Sequence, residues 1–550
     1  MCIYFAAEIE AKNSEPVCQA ELSVEDLRGS RLVNWEFWAF VFWTVFNLVP
    51  LFFFQYIPSN DGPSHVYNAA MLRSFLFSSS GPAHTVFAWN SSLPPNLLTH
   101  LFLAVLMPLC SPVTAERLLV LSYAIFLPLG FRYFLRSVSL RTHGLEYLSL
   151  VLVYNSHLHW GFYNFLFSIV FFLFACGFWL RNRHSRTAST IAVLALLVTL
   201  LYFCHPVGLF QFWVVCFVFA AFEKFRANSR PSGLRLLAGA SAIAAVLYAH
   251  YVLTRLPMPN ESSSWPTLRY SASLLFTLSP LASYSAFQRT IAFAVLLILA
   301  TATAFALRGR SVRAAVNGYL VAVVVTALLI FVAPSSTGGG TMLTPRLIYF
   351  PVIMICAWLA SLDWGTDPRY WLAAAGILLA VGMVCSNWRV YSRYNTEMKE
   401  FIATERAWPP DPYLFFRAAG SPSTLRLNAQ GTPFLSGAAA GYLAARREQV
   451  LIGDYQGLAN YFPLVYKQKD NPENFYMPVG DGGRCLPTDQ FIDVPRYASS
   501  ASIPVKTAIL LVQNVASPPA ECIGVAPLAR LQANNFLLLF YSFPSAVENR

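Results

Sequence analysis

Charge is scarce in this sequence. Only 12% of its 550 residues are Asp, Glu, Lys or Arg, while 56% are hydrophobic and the mean hydropathy is +0.49. A soluble domain carries roughly 25% charged residues, so a single water-soluble core is excluded and a bilayer must act as solvent for much of the chain. A concentrated basic patch is also missing. The net charge of +11 is spread in short clusters between apolar runs, which is the distribution of membrane-orientation signals. Nucleic acid is therefore not an expected partner. No CxxC or Cys/His spacing suggests zinc. Most of the ten cysteines lie in or beside apolar segments and read as small buried hydrophobes. Cys485 and Cys522 alone fall in the polar C-terminal region. They would pair as a disulfide if that region lies outside the cytoplasm, or remain two free thiols. Residues 1–33 are polar and mildly acidic, without an apolar stretch ending in a cleavage site. No cleavable signal peptide is expected, and the first membrane segment reads as an uncleaved anchor. No internal repeat or low-complexity tract is evident.

Long apolar runs are what the chain has instead. A helix needs about 20 apolar residues to cross the hydrocarbon core. Spans are predicted near 36–57, 113–135, 145–159, 162–180, 188–204, 206–222, 234–255, 289–307, 314–333, 347–362 and 370–388, about eleven in all. With the N-terminal tail (1–35) placed in the cytoplasm, the inside loops carry clusters such as Arg132/Arg136/Arg141, Arg181/Arg183/Arg186 and Arg308/Arg310/Arg313. The outside segments carry only scattered arginines, which is the positive-inside pattern. Counting the apolar stretch 97–110 as a span would invert every later loop, so it reads as a helix lying at the outer interface. The expected fold is an all-α polytopic membrane module over 36–388. Its first outer loop, 58–112, carries interfacial helices, and an extracytoplasmic α/β domain follows over 389–550. Within that domain "ATERAWPPDP" (403–412) reads as a turn-rich entry, and Lys506–Val512 and Phe536–Tyr541 read as strands.

The polar residues converge on one face. "YIPSNDGPSHVYNAAMLRSFLF" (56–77) places Pro63 in the first turn of a helix, with Val66, Ala69, Leu72, Phe75 and Leu76 at helical spacing. That predicts an amphipathic helix parallel to the membrane. Asp61 stands at its start and His65 follows. A carboxylate there is suited to act as a general base on an acceptor hydroxyl; alternatively it caps the helix. The outer turns add His157 and His159 in "YNSHLHWGFYN", His205 in "FCHPVGL", and Arg346 and Tyr349 in "TPRLIYFP". Arginine keeps its charge and offers a fork for phosphate, or else snorkels at the interface. The histidines serve either as substrate ligands or as hydrogen-bonded structural residues. A base facing phosphate-binding groups fits glycosyl transfer from a lipid-linked phosphosugar, in which the leaving phosphate needs its charge stabilised.

In this arrangement the chain resembles the GT-C superfamily of membrane glycosyltransferases. The likeness is to bacterial relatives of protein O-mannosyltransferases and lipid A aminoarabinose transferases. It covers about residues 1–390 and is carried by "NDGPSH" just after the first span, by "LPPNLLTHLFLAVL" (93–106) and by "SPVTAERLLVLSYAIFLPLGFRYFLRSV" (111–138). The resemblance implies Asp61 as the catalytic base and Arg346 as the residue holding the donor phosphate. It also implies a polyprenyl-phosphate sugar donor, a glycan, lipid or protein acceptor, and residence in a bacterial inner membrane. Many relatives carry paired acidic residues in the first loop and some bind a divalent metal there; this loop has Asp61 followed by Gly62, which argues against a metal. Two other readings stand beside the enzyme: a transporter or flippase, and a catalytically inactive scaffold in envelope assembly. The aromatic stretch "GDYQGLANYFPLVYK" (453–467) reads either as acceptor contact or as the core of the C-terminal domain.

Overall fold

The computed structural model describes residues 24–542 apart from 228–232, 256–262, 309–315, 338–339, 365–367, 420–434, 436–437, 478–490, 493, 504 and 514–526. Cys485 and Cys522 lie outside the described residues. The chain is mostly helical, and seven helices are long and apolar enough to cross a membrane: Pro112–Val138, Tyr163–Asn182, Pro206–Phe225, Leu234–Thr254, Ala286–Leu307, Leu343–Ala360 and Arg369–Ala407. Two shorter apolar helices, Ala188–Cys204 and Gly318–Val332, stand among them. These mark a membrane protein.

Several boundaries differ from the sequence expectation. The stretch read as a span over 145–159 is broken into a short turn at Leu145–Tyr147 and two short helices, Leu148–Val153 and Ser156–Trp160. The break falls at Asn155, whose side chain accepts from Leu158 N (3.0 Å) and donates to Tyr123 Oη (2.9 Å), a local bond that competes with the helix. The first helix runs Val24–Asn47, and a separate turn, Val49–Phe53, carries Pro50 where a missing N–H costs nothing. The last long helix continues unbroken from Arg369 to Ala403, 35 residues, or about 52 Å at 1.5 Å per residue. It therefore passes well beyond residue 388 and carries the chain into the C-terminal domain. Arg132, expected as a loop charge, is buried in an ion pair with Glu146 (2.7 Å) and lies over the Phe40 ring.

Pro63 does open a helix, Gly62–Phe77. The expected half-exposed amphipathic face is not what it shows. Every residue from Gly62 to Leu72 is buried, and only the far end, including Leu76, emerges. The second face is covered by the C-terminal domain, a contact that periodicity within the helix does not encode. The 97–110 stretch holds a nine-residue helix, Leu98–Leu106, too short to cross a bilayer.

Nine strands are described: β1 Phe87–Trp89, β2 Tyr413–Ala419, β3 Leu451–Ile452, β4 Leu464–Tyr466, β5 Tyr476–Met477, β6 Phe491–Ile492, β7 Thr507–Gln513, β8 Ala529–Gln532 and β9 Leu537–Ser542. Five form one sheet in the order β3-β2-β7-β9-β8, parallel through β7 and antiparallel beyond. The two strands expected from sequence correspond to β7 and β9. Outside this sheet, β1 of the first loop pairs antiparallel with β4, with Phe87 opposite Tyr466 and Trp89 opposite Leu464. The helix Ala440–Arg447 packs against Gly62–Phe77 so closely that a Cβ on Gly441 would stand 2.3 Å from the Pro63 carbonyl oxygen. Gly441→Val is therefore expected to pry the domain from the loop, at a cost of about 1–3 kcal/mol. A thermal unfolding temperature equal to wild type in detergent would contradict this.

Candidate functional site

The turn before the Gly62–Phe77 helix is held from both sides. Asn60 N donates to His159 O (2.8 Å), Asp61 N donates to Trp160 O (3.0 Å), and Tyr284 Oη donates to Pro58 O (2.9 Å). Gly161, at φ +85°, faces this turn. A Cβ there would stand 2.7 Å from Gly62 N, and one on Gly62 would stand 2.6 Å from Ser59 Oγ. Both positions admit only glycine, the first for its backbone angle as well as its space.

Helix capping falls to Ser59, whose Oγ accepts from Gly62 N (2.8 Å), while the Asp61 side chain makes no cap bond. Asp61 stands at the N-cap position, but its carboxyl is free of capping bonds. Its carboxyl instead accepts from Asn60 Nδ2 (2.8 Å) and bonds Tyr455 of the C-terminal domain. Burial raises its pKa from 3.8 to about 6; the hydrogen bonds from Tyr455 and Asn60 and the charge of Arg346 pull the other way.

Tyr455 reaches Asp61 because the turn Tyr455–Gly457 is wedged between the two first-loop helices. Asp454 accepts from Ser64 Oγ. The Gln456 carboxamide bridges His65 Nδ1 (3.1 Å) and His100 Nε2 (2.9 Å), atoms themselves 3.1 Å apart. Burial pushes both histidines below the ordinary range, His100 to about 4, so they are neutral at pH 7. Beneath the turn, the buried Glu116 receives Tyr163 Oη and Tyr442 Oη, each at 2.5 Å, the second again from the C-terminal domain.

Arg346 lies 8% exposed with its guanidinium 4.3 Å from the Phe162 ring centroid and Nη1 2.9 Å from His205 Nε2. Its Nε has no partner, and among the described residues no carboxylate lies within ion-pair distance of it. Asp61, His65, His205, Arg346, Tyr455 and Tyr461 all line one cavity of about 760 Å³. Its other lining is largely apolar, with Phe162, Phe165, Phe210, Trp213, Val252 and Val332 beside Tyr248, Tyr251 and Arg255, and Val252 and Val332 are about half exposed.

Of the residues singled out in the sequence, Asp61, His65, His205 and Arg346 thus come together. His157, His159 and Tyr349 do not line the cavity. His157 Nδ1 meets Tyr349 Oη (2.9 Å) behind Phe165, so the pair props the ring wall under Arg346. His159 bonds Ser283 Oγ (2.6 Å) and packs on Tyr284, and only its carbonyl serves the Asp61 turn. Sequence reasoning missed Glu116, Asp454 and Gln456. The signal for the last two was present in "GDYQG", an acid and an amide between glycines. In the 453–467 stretch Tyr455, Tyr461 and Phe462 line the cavity, and Tyr466 is core. Among the described residues no group of three or more His, Cys, Asp or Glu is placed to hold a metal ion. No protein-family model matches the chain, and no curated protein matches it in sequence.

Asp454 provides a test of this docking. Burial raises its pKa from 3.8 to about 7, and the nearby Asp61 adds to the rise. A carboxyl raised on folding stabilises while protonated, and that contribution is lost as pH rises through about 7. Asp454→Asn, which is neutral throughout, is expected to raise the unfolding temperature more at pH 8 than at pH 5. An equal change at both pH values would mean that Asp454 is not buried as described.

Proposed function

We propose that the chain is a membrane glycosyltransferase of the GT-C kind, transferring a sugar from a polyprenyl-phosphate donor to an acceptor at the extracytoplasmic face. In this reading the bundle has about eleven spans in a bacterial inner membrane, with the N-terminus in the cytoplasm and the C-terminal domain outside. The observation that carries it is Asp61 and Arg346 on one cavity, each without an ion-pair partner there, beside an apolar wall that opens on the flank of the bundle. The polar residues crowd one end, and that favours an enzyme over a transporter built around a midplane site.

The chemistry follows from the two groups. Asp61, ionised above about pH 6, takes the proton of the acceptor hydroxyl as its oxygen attacks the anomeric carbon. The bond from that carbon to the phosphate oxygen breaks on the opposite face, with inversion. The departing lipid phosphate gains charge, which the Arg346 guanidinium receives through N–H groups that no protein carboxylate occupies. The prenyl tail lies along the apolar wall.

Asp61→Asn is expected to lower transfer by about 10²–10⁴-fold at normal membrane abundance. The assay is mass spectrometry of envelope glycans and glycoproteins from a deletion strain carrying the variant. Glycans like those of the wild type would sink the proposal. The rate is also expected to fall on the acid side near pH 6. Tyr455→Phe removes a bond that holds Asp61 down, so that limb moves to higher pH; a limb that stays in place would separate Tyr455 from the base.

A further inference from the structure

Gln211 lies in the wall of the same cavity and takes no part in the chemistry above. It sits in the helix Pro206–Ala227, its side chain is wholly buried, and among the described residues neither Nε2 nor Oε1 has a hydrogen-bond partner. Leu209, Phe210 and Trp213 of the same helix and Phe165 of Tyr163–Asn182 line the cavity with it, as do the polar Asn96 and Asn164. Most buried polar atoms find partners, and an amide left with both atoms unmatched is rare enough to need a reason. Six residues separate it from His205, the residue that contacts Arg346. That is about 9 Å along the helix axis.

The chemistry of the amide restricts what can meet it. It presents an NH2 donor and a carbonyl acceptor side by side. A prenyl chain matches neither. An ionised phosphate satisfies the N–H but sets its lone pairs against Oε1. A hydroxyl or a secondary amide satisfies both. A hexose whose phosphate rests on Arg346 spans the separation with its ring and substituents.

We propose that Gln211 is a donor-sugar subsite, hydrogen-bonding a neutral hydroxyl or acylamino group of the sugar whose phosphate Arg346 holds, and so sets donor specificity. This rests on the glycosyltransferase reading. The sugar then extends from its phosphate toward Gln211 with its anomeric carbon beside Asp61, and the prenyl tail leaves by the flank near Val252 and Val332.

The test uses the full chain in lipid nanodiscs and three probes: undecaprenyl phosphate, undecaprenyl phosphoryl mannose and undecaprenyl phosphoryl N-acetylglucosamine. Wild type is expected to bind at least one sugar-bearing lipid more tightly than the bare lipid phosphate. Gln211→Leu should lose that preference by roughly tenfold or more, because a site shaped to hydrogen-bond a substituent discriminates strongly. It should keep its affinity for undecaprenyl phosphate and unfold, without ligand, at or above the wild-type temperature. Gln211→Asn, which retains the amide on a shorter arm, should recover part of the preference. The subsite is overturned if wild type shows no preference for either sugar, if Gln211→Leu binds the sugar lipids as wild type does, or if it unfolds earlier and weakens all three probes alike. Failure of wild type to bind undecaprenyl phosphate at all would instead sink the glycosyltransferase reading.

Discussion

Three stretches of backbone meet around Asp61 closely enough that each has a glycine where a side chain is excluded. Gly62 and Gly161 face each other at the turn, and Gly441 brings a third element against Pro63. With no Cβ in the way, the 159–161 carbonyls can clamp the loop, and the C-terminal domain can close over it. Everything at the site follows from that contact. Tyr455 reaches the carboxyl, Gln456 ties the two loop histidines, and Tyr442 fastens Glu116 below. The carboxyl is kept dry enough to titrate near neutrality while remaining open to the cavity.

The two ionisable groups of the site are set apart by different means. Asp61 is lifted by burial and partly restored by hydrogen bonds and a distant cation. Arg346 keeps its orientation through a ring face and a histidine nitrogen, neither of which neutralises it. A direct ion pair would have quenched both groups and left the base weaker. The separation leaves each with unspent capacity toward a ligand between them.

What was readable in the sequence was local. Pro63 announced a helix start, the short 97–110 stretch was not a span, and alternation in Lys506–Val512 and Phe536–Tyr541 marked two sheet strands. The grouping of Asp61 with Arg346 was readable from their placement at span ends. What was hidden was set by distant chain. The run 145–159 has the composition of a span, and the Asn155 side chain, through Tyr123 and Leu158, breaks it. The Gly62–Leu72 segment buries His65 against a polar turn nearly 400 residues later, and no periodicity in one helix reports that. Arg132 reads as a loop charge because sequence does not reveal Glu146 folding back beneath it.

The pairing of β1 with β4 and the reach of Tyr455 to Asp61 also set an order in time. The carboxyl is synthesised early and its cover late. A nascent chain, or one cut anywhere before residue 455, lacks Tyr455 and the rest of the cover that the C-terminal domain places over Asp61. Only the finished protein holds a carboxyl poised near neutrality. Proteolysis of the C-terminal domain would therefore uncover Asp61 without cutting the helices that precede it.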